Sequence, residues 1–219
     1  DSFVTVEQIL RIEFEDKYNI EIEILDSSEF GVPQKRKRAF IRLFKKGLKW
    51  NNARKENKII SVRDAIGHLP SLESGESSDI PWHYARKHTK NNILWMKHTA
   101  TNKPAIENKV YYPKKENGDR IKGFKTTYAR MDWDTPAPTI TMRNDCIASQ
   151  RNVHPGVIKK DGTYSDARVL TPLELIILTS LPSDWKIPKD TPEMLIRQVI
   201  GECVPPLLTR KVLEGISEK

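Results

Sequence analysis

The chain has 219 residues, of which 37% are hydrophobic and 30% charged, a composition typical of a soluble protein with one large or two small domains. No apolar run approaches the ~18 residues that a membrane helix needs, and the N-terminal residues do not resemble a signal peptide. The two cysteines form no disulfide or metal-binding pattern. These features exclude a membrane-spanning or disulfide-rich protein, predict no metal site, and favour a reducing cytoplasmic setting.

The net charge of +8 is distributed unevenly along the chain. Residues 1–33 carry nine acidic and two basic side chains, whereas residues 35–58 carry eleven basic and one acidic, and residues 81–130 carry twelve basic and three acidic. Two basic blocks predict a surface that binds a polyanion such as nucleic acid, because each neutralised phosphate releases a counterion. A basic face that is merely solvated is the alternative, and charge alone does not separate the two.

The first elements of the chain are predicted to be one helix and two strands. Apolar residues recur at helical spacing from residue 6 to residue 14, which predicts an amphipathic helix. In residues 18–26 three isoleucines alternate with glutamates, which predicts a strand whose isoleucine face is buried. A second strand is predicted at residues 39–44, so the basic stretch of residues 31–38 connects the two strands.

The middle of the chain shows little regularity. Residues 47–58 are polar and basic and are predicted to be a linker or loop. Residues 61–64 have the pattern of a capping box and predict a short helix that extends to Leu69. Residues 71–130 lack a sustained period, yet they contain tryptophans and tyrosines that would be costly to leave in water. We therefore expect an irregular but folded region.

Three helices are predicted near the C-terminus. Residues 171–174 combine an N-cap threonine, a proline at the first helical position and a capping glutamate. The second helix is predicted to begin at residues 191–193 and to end at Gly201. The third is predicted to begin at residues 205–206, with its apolar residues, the last of them Ile216, on one side. The order of elements favours an α/β domain interrupted by a second domain.

Three separated segments resemble motifs of one family, the DNA cytosine-5 methyltransferases of bacterial restriction–modification systems. GVPQKRKRAFI, residues 31–41, resembles the Gln-x-Arg-x-Arg motif that precedes a strand of the catalytic domain. RVLTPLELIILTSLPSDW, residues 168–185, resembles the Arg-x-Leu-Thr-x-x-Glu segment, and RQVIGECVPPLL, residues 197–208, resembles the C-terminal motif usually written with Gly-Asn and Val-Pro-Pro. All three occur in the order of the family, separated by a long variable stretch.

The resemblance implies an α/β fold: the C-terminal portion of a Rossmann-like, S-adenosyl-L-methionine-dependent methyltransferase domain with an inserted, loop-rich target recognition domain. Residues 1–49 would belong to the catalytic domain, residues 50–167 would form the target recognition domain, and residues 168–219 would form the hinge and closing helices. The family's Pro-Cys-Gln, Phe-x-Gly-x-Gly and Glu-Asn-Val motifs do not occur in this sequence. We therefore expect a C-terminal part that needs an N-terminal catalytic half, from the same gene or a separate subunit, and lacks turnover alone.

By its position in the first motif, Arg38 is expected to contact the flipped cytosine. Its planar guanidinium can bond the base carbonyl and a carboxylate at once, which a lysine does less well. The resemblance implies that Arg36 faces a phosphate or the catalytic loop, and that Gln34 makes a backbone or loop contact. Lys35 and Lys37 are expected to point away, because alternate residues of an extended segment face opposite sides.

The third motif implies that Gly201, Glu202, Cys203 and Val204 contact S-adenosyl-L-methionine. Glu202 stands where most members of the family have asparagine. A carboxylate there could accept the ammonium of the cofactor and would repel its carboxylate. The alternative is an acidic residue favoured by the dipole of the helix that begins near Pro205.

The remaining predicted contacts involve double-stranded DNA. MDWDTPAPTITMRND, residues 131–145, resembles the end of the family's recognition domain, which implies that Thr139 and Ile140 lie near the DNA backbone at the flipped cytosine. Arg143, Lys45 and Lys46 are further expected DNA contacts.

Several prominent side chains are expected to be structural. Thr171 and Glu174 are expected to cap a helix first of all, His154 to be structural, and Trp82 and Trp95 to lie in the core rather than stack on bases.

The resemblance implies that the protein modifies a cytosine in a specific duplex sequence in the bacterial cytoplasm, associated with the nucleoid. Two alternatives stay open. One is a non-catalytic, sequence-specific DNA-binding subunit derived from a methylase, for which the basic blocks would suffice. The other is a fragment of an RNA cytosine methylase, which the long insertion disfavours because it resembles a domain that reads duplex grooves.

Overall fold

The computed structural model describes residues 5–182, 184–188 and 190–217; Ser183, within the second motif, lies outside them. The α-helices are α1 Val6–Phe14, α2 Val62–Ile66, α3 Lys90–Lys97, α4 Pro172–Leu178, α5 Glu193–Glu202 and α6 Pro206–Leu213. The strands are β1 Tyr18–Asp26, β2 Lys37–Lys45, β3 Lys49–Trp50 and β4 Ile216–Ser217. None of the helices among the described residues is long and apolar enough to cross a membrane.

The helix and two strands predicted at the start of the chain are confirmed. A capping box begins α1, because the Thr5 side chain accepts from the Gln8 amide and the Gln8 side chain accepts from the Thr5 amide. β1 and β2 then pair antiparallel along their full length. A short 3₁₀ helix, Ser27–Phe30, and Gly31 at φ +83° make the turn between them, since glycine adopts positive φ without strain.

The prediction that the isoleucine face of β1 is buried is wrong for the described residues. Ile24 is 74% exposed, and Ile22 and Ile41 are also exposed, because no described element covers this face of the two-stranded sheet. The other face holds a buried guanidinium instead. Arg42 lies 2.6 Å from Glu21 and 3.0 Å from Glu23, measured from Nη2 to a carboxylate oxygen.

Three clusters of buried apolar side chains form the core. The first joins α2, α4 and α5 to residues 131–140. The second joins α3 to residues 147–169. The third joins the β1–β2 turn to α6. Residues 50–167 contribute to the first cluster as well as the second, so the predicted insertion shares a core with the C-terminal helices. Its boundaries stay a prediction.

The C-terminal helices begin where the sequence predicts, but two of them end elsewhere. The capping box of Thr171 and Glu174 at α4 is confirmed. α5 continues past Gly201 to Glu202, because Gly201 serves a close approach described below rather than a helix end. α6 ends at Leu213, which is exposed, and Ile216 lies in β4 rather than on the helix. α2 likewise ends at Ile66, short of the predicted Leu69.

Residues 47–58 are not a free linker. β3 pairs antiparallel with β4 near the C-terminus, and the amide of Asn51 donates to the carbonyl of Gly215 at 2.8 Å. The indole of Trp50 donates to the carbonyl of Val212, also at 2.8 Å. The start of the predicted insertion is therefore attached to α6. Most of residues 67–170 is irregular, as predicted, with α3 as its one α-helix in the described range.

Candidate functional site

Residues of the first and third motifs meet the segment 139–141 at one place, which we call the motif junction: Gln34, Arg36, Thr139–Thr141 and Gly201–Glu202. The chain at Gln34 pairs in parallel with Ala137, and the amide of Lys35 donates to the carbonyl of Ala137 at 2.8 Å. The buried side chain of Gln34 accepts from the Ile140 amide at 3.3 Å and donates to the Leu178 carbonyl at 3.4 Å. The predicted backbone contact of Gln34 thus exists within the protein itself.

Arg36 links all parts of the motif junction. The residue is 2% exposed; Nη1 donates to the carbonyl of Ile140 at 2.7 Å, and Nη2 donates to the carbonyls of Gly201 at 2.9 Å and Glu202 at 3.2 Å. Burial, followed by the neighbouring charge of Arg38, lowers the pKa of Arg36 from its usual value. A charged fork placed on three carbonyls stabilises their relative positions.

This geometry changes the role assigned to Arg36. The sequence predicted that it faces a phosphate or the catalytic loop, but its terminal nitrogens contact main-chain carbonyls and the side chain is buried. A phosphate could not reach the guanidinium without displacing the segments around it. Arg36 is a positioning residue for the motif junction.

Arg38 lies two residues further along β2 and is only half-buried. Its side chain makes one hydrogen bond within the described structure, from Nη1 to the carbonyl of Lys37 at 2.7 Å. Lys35 and Lys37 are exposed while Gln34 and Arg36 are buried, which confirms the predicted alternation.

Gly201 allows α5 to approach the segment that follows Ile140. A Cβ added to Gly201 would lie 2.3 Å from the carbonyl oxygen of Thr141 and 2.5 Å from the amide of Met142. No other residue fits there without a shift of the backbone. The hydroxyl of Thr139 donates to the carbonyl of Lys35 at 2.8 Å, so both sides of this segment are fixed.

Ile140 does not present its side chain for a DNA contact. It is 4% exposed and belongs to the first core cluster. The prediction that it lies against the DNA backbone is therefore revised: its apolar side chain belongs to the core, and its peptide group holds Gln34 and Arg36. Thr139 beside it is only half-buried.

A second buried link to α5 is not predictable from the sequence. Arg197 is fully buried; it donates from Nη1 to the Asn144 side chain at 3.2 Å and from Nε to Glu193 at 2.6 Å. Asn144 in turn donates to the carbonyls of Thr141 and Arg197. These residues are 53 positions apart in the chain, and a single sequence contains no signal that would pair them.

The predicted cofactor residues lie at the end of α5 and in the connection to α6. Gly201 is buried, Cys203 is half-buried, and Glu202 and Val204 are exposed. The Glu202 carboxylate accepts a hydrogen bond from the Gln198 side chain at 3.2 Å. Burial raises the pKa of the Cys203 thiol, although Arg36 acts in the opposite direction.

The remaining predicted DNA contacts are not brought to the motif junction. Lys45 and Lys46 are exposed at the far end of β2, about 23 Å or more from Arg38 at ~3.3 Å per residue. Arg143 is exposed near the junction and pairs with Asp145, Nε to Oδ1, at 3.3 Å.

A network of buried charges fixes the segment before α4. Arg168 is fully buried and pairs with Asp166 and Glu174, each at 2.8 Å. Asp166 also accepts from the amide of Leu72 at 3.0 Å, and Arg168 donates to the Leu72 carbonyl at 2.8 Å. These contacts therefore link two segments near the ends of the irregular region, residues 71–72 and residues 166–168.

The imidazole of His154 lies beside this network. Its Nε2 is 3.7 Å from Glu174, and Nδ1 accepts from the amide of Gly156 at 3.1 Å. Burial, and then the charge of Arg168, lower the pKa of His154 to about 4. Burial works to raise the pKa of Glu174, but Arg168 outweighs it and holds that pKa below its usual value. His154 is structural, as predicted.

Trp82 and Trp95 are also structural, because they pack against the first and second core clusters, respectively. Among the described residues, no group of three or more His, Cys, Asp or Glu side chains is arranged to hold a metal ion.

Comparison with known proteins assigns the family. A family model described as C-5 cytosine-specific DNA methylase matches residues 2–218. The chain is 58% identical over 211 residues to the Type II methyltransferase M1.HgaI of Avibacterium volantium, which covers 96% of this chain and 59% of that protein. It is 28% identical over 209 residues to the Type II methyltransferase M1.HphI of Haemophilus parahaemolyticus, covering 91% and 48%. The chain thus spans roughly half to three fifths of these curated relatives.

Solved structures agree on the fold. One is the crystal structure of a protein taken to be a DNA modification methyltransferase encoded within an E. coli prophage, with a TM-score of 0.66, 16% identity, and coverage of 95% of this chain and 63% of that chain. Another is the methyltransferase EhMeth of Entamoeba histolytica, with a TM-score of 0.56, 13% identity, and coverage of 95% and 56%. The methyltransferase fold and the matched family model agree, and the chain belongs to the C-5 cytosine-specific DNA methylase family.

Proposed function

We propose that this chain is the C-terminal part of a Type II DNA (cytosine-5-)-methyltransferase, which transfers a methyl group from S-adenosyl-L-methionine to a flipped cytosine in a specific duplex sequence. The observation that carries the proposal is the difference between two arginines of the first motif, one just before β2 and one within it. Arg36 is bound to three main-chain carbonyls, whereas Arg38 donates to a single carbonyl within the described structure. The remaining donors of Arg38 are available to a substrate.

In this proposal Arg38 holds the target base. Two adjacent N–H groups of a guanidinium can donate to the carbonyl oxygen of cytosine and to a carboxylate that protonates the ring. The base is out of reach inside a stacked duplex, so it must first be flipped. S-adenosyl-L-methionine supplies the methyl group as an electrophilic sulfonium. Arg36 and Gln34 act indirectly, by holding β2 against residues 139–141.

Residues Gly201–Val204 would form one wall of the cofactor site. The fit rests on Glu202, whose carboxylate is exposed at the end of α5 while its carbonyl is held by Arg36. A carboxylate attracts the ammonium of the amino-acid end of the cofactor. We expect Glu202→Gln to weaken cofactor binding several-fold in equilibrium dialysis of the enzyme, with the exposed Asp184→Asn as control. Equal affinity in both variants would remove Glu202 from the site.

The exposed apolar face of α1 and the β1–β2 sheet is the proposed docking surface for the N-terminal half. Its exposed apolar residues include Ile12, Ile24 and Ile41, and we propose that they contribute to an apolar patch that binds the partner. With the N-terminal half expressed separately, Ile24→Asp should abolish co-purification, whereas Ile158→Asp, at an exposed isoleucine in the irregular region, should not. If the Ile24 variant still co-purifies with the N-terminal half, this docking mode is wrong.

Residues 50–167 are proposed to contain the target recognition domain that reads the duplex. What supports this is their irregular fold around the second core cluster and the excess of basic over acidic side chains in residues 81–130, twelve against three.

Transfer of tritiated methyl groups tests the function. The chain combined with its N-terminal half should label duplex DNA and not RNA, and Arg38→Ala should lower turnover by about a hundredfold or more while DNA affinity stays within a few-fold. Lys37→Ala, an exposed neighbour, is the matched control. Equal turnover in the two variants would show that the role of Arg38 is wrongly assigned. If no methyl group is transferred to any nucleic acid, the proposed enzymatic function is wrong.

A further inference from the structure

A small projecting segment of the irregular region, residues 113–127, is here called the finger. Its first part is a hairpin in which Lys114 pairs with Arg120, and the amide of Lys115 donates to the carbonyl of Asp119 at 2.8 Å. Gly118, at φ +86°, makes the tight turn at the tip. Side chains from Lys114 to Arg120 are all exposed, so the finger has almost no core of its own.

The base of the finger is nevertheless held firmly. The guanidinium of Arg120 donates to the carbonyls of Ile106 at 2.8 Å and Asn108 at 3.1 Å, and it lies 3.5 Å from the centre of the Tyr112 ring. Asn108 donates to the carbonyl of Tyr111 at 2.7 Å. A segment with almost no core therefore has a defined attachment to the residues that precede it.

The second part of the finger displays an aromatic ring in solvent. Phe124 is 81% exposed, yet its backbone is fixed, because both the amide and the hydroxyl of Thr127 donate to the Phe124 carbonyl, at 2.9 Å and 2.8 Å. Gly123 is required beside it, since an added Cβ would lie 2.7 Å from the Thr127 hydroxyl. Single exposed apolar residues are common on protein surfaces, so the exposed ring alone does not indicate a binding site. The side chains around it must be considered as well.

Those neighbours are cations. Residues 113–127 contain five basic and two acidic side chains. One of the acids, Asp119, accepts from the Asn117 side chain, and Lys125 pairs with Glu107 at 3.3 Å. Lys115 and Lys122 form no ion pair with a described residue. An exposed aromatic ring flanked by uncompensated lysines is the combination by which proteins contact nucleic acids, with charge on phosphates and the ring against sugars or bases.

We propose that the finger contacts duplex DNA and determines part of the sequence specificity, with Lys115 and Lys122 on phosphates and the ring of Phe124 in the groove. The proposal rests on the proposed function, because it assigns the residues that would select the target.

The test uses the chain together with its N-terminal half. The target duplex is first identified by bisulfite sequencing of DNA from cells that express the enzyme, and a scrambled duplex of equal length serves as reference. Fluorescence anisotropy then gives the affinity for both duplexes, independently of methyl transfer. Phe124→Ala should reduce the preference for the target about tenfold and leave the melting temperature unchanged, whereas Ile158→Ala, an exposed apolar control, should change neither quantity.

The lysines are tested by salt dependence. Lys115→Gln combined with Lys122→Gln should weaken binding to both duplexes and lower the slope of log affinity against log salt by about 2, at ~0.9 per phosphate. Lys160→Gln, an exposed lysine of the same region, should leave the slope unchanged. Full target preference in the Phe124 variant, or an unchanged slope in the double lysine variant, would overturn the inference even if the enzyme methylates DNA.

The two proposals can fail separately. If the unmodified enzyme binds its duplex and loses that preference in the Phe124 variant, the inference stands even where no methyl transfer is detected. Without methyl transfer, bisulfite sequencing does not identify the target, so the target duplex is then identified by enrichment of the sequences that the enzyme binds. If the Phe124 variant loses association with a protein instead of with DNA, the finger is a protein-binding surface and the inference is wrong.

Discussion

The motif junction and the finger both depend on basic side chains, but they use them in opposite ways. In the motif junction Arg36 is withdrawn from water and all its contacts are main-chain carbonyls. In the finger Lys115 and Lys122 are fully hydrated. A buried guanidinium organises the protein around it, whereas an exposed ammonium is available to a partner.

The difference teaches that net charge along a sequence is a poor guide to the binding surface. Residues 35–58 have the densest positive charge in the chain, yet two of their arginines, Arg36 and Arg42, are buried and Lys55 pairs with Glu29 at 2.7 Å. Their charge serves largely to hold the fold together. Whether the motif junction and the buried network around Arg168 depend on their buried polar groups can be tested by three measurements.

Loss of Arg36 should have the largest effect. Arg36→Ala leaves three buried carbonyls without donors, which should lower the free energy of unfolding by about 3 kcal/mol or more. Lys37→Ala, at the exposed neighbouring position, should change it by less than ~0.5 kcal/mol. Urea denaturation followed by tryptophan fluorescence measures both. A loss below about 1 kcal/mol for Arg36→Ala would mean that water replaces the guanidinium and that the junction is not organised by it.

A methyl group on Gly201 should have the next largest effect. Gly201→Ala places a Cβ 2.3 Å from the Thr141 carbonyl oxygen, so α5 must move away, at an expected cost of about 2 kcal/mol. Gly47→Ala is the control, because Gly47 has positive φ but nothing within 4 Å of its added Cβ, and only strain of about 1 kcal/mol applies. Thermal unfolding separates the two. A smaller loss at Gly201 than at Gly47 would show that α5 can shift freely.

The smallest effect, expressed per pH unit, is a pH dependence from the buried network of Arg168, Glu174 and His154. The folded pKa of His154 is about 4, against an ordinary 6.5, so between these values the unfolded chain binds a proton that the folded chain does not. Stability therefore falls as pH falls through this window, by up to ~1.4 kcal/mol per pH unit. Glu174, with a lowered pKa, acts in the same direction and loses its contribution as pH falls through its folded pKa.

Urea denaturation at several pH values between about 4.5 and about 7 checks this sign. His154→Asn should flatten the dependence, whereas His68→Asn, at an exposed histidine, should retain it. The slope is the decisive quantity because a purely structural loss would lower stability equally at every pH. Parallel curves for the enzyme and the His154 variant would contradict the assignment.

Local patterns predicted the elements well, and long-range contacts explain what they missed. The capping residues Ser61 and Thr171 each begin a helix as predicted, because a cap depends only on neighbours within one turn. The face on which the isoleucines of β1 lie was assigned correctly by alternation, but its burial depends on a partner surface and not on the strand. No sequence period could have shown that.

The candidate site was predictable only in part, for the same reason. The alternation of buried and exposed residues from Gln34 to Lys37 follows from extended backbone. Two contacts of the site could not be predicted in this way. Arg36 bonds carbonyls 104 to 166 positions away, and Arg197 contacts Asn144. Both depend on tertiary packing, for which a single sequence contains no recognisable pattern. The finger was seen only as a basic, irregular stretch, because its hairpin and the display of Phe124 rest on individual turns.

The attachment of the finger has a consequence for how this protein can change. Its hairpin is held at the base chiefly by donors from Arg120 and Asn108 to main-chain carbonyls, and carbonyls are present whatever the side chains are. Residues at the tip can therefore be substituted or grafted from a homologue without repacking a core. Under the proposed role of the finger, such an element would allow a lineage, or a protein engineer, to exchange one specificity for another while the rest of the fold is inherited intact.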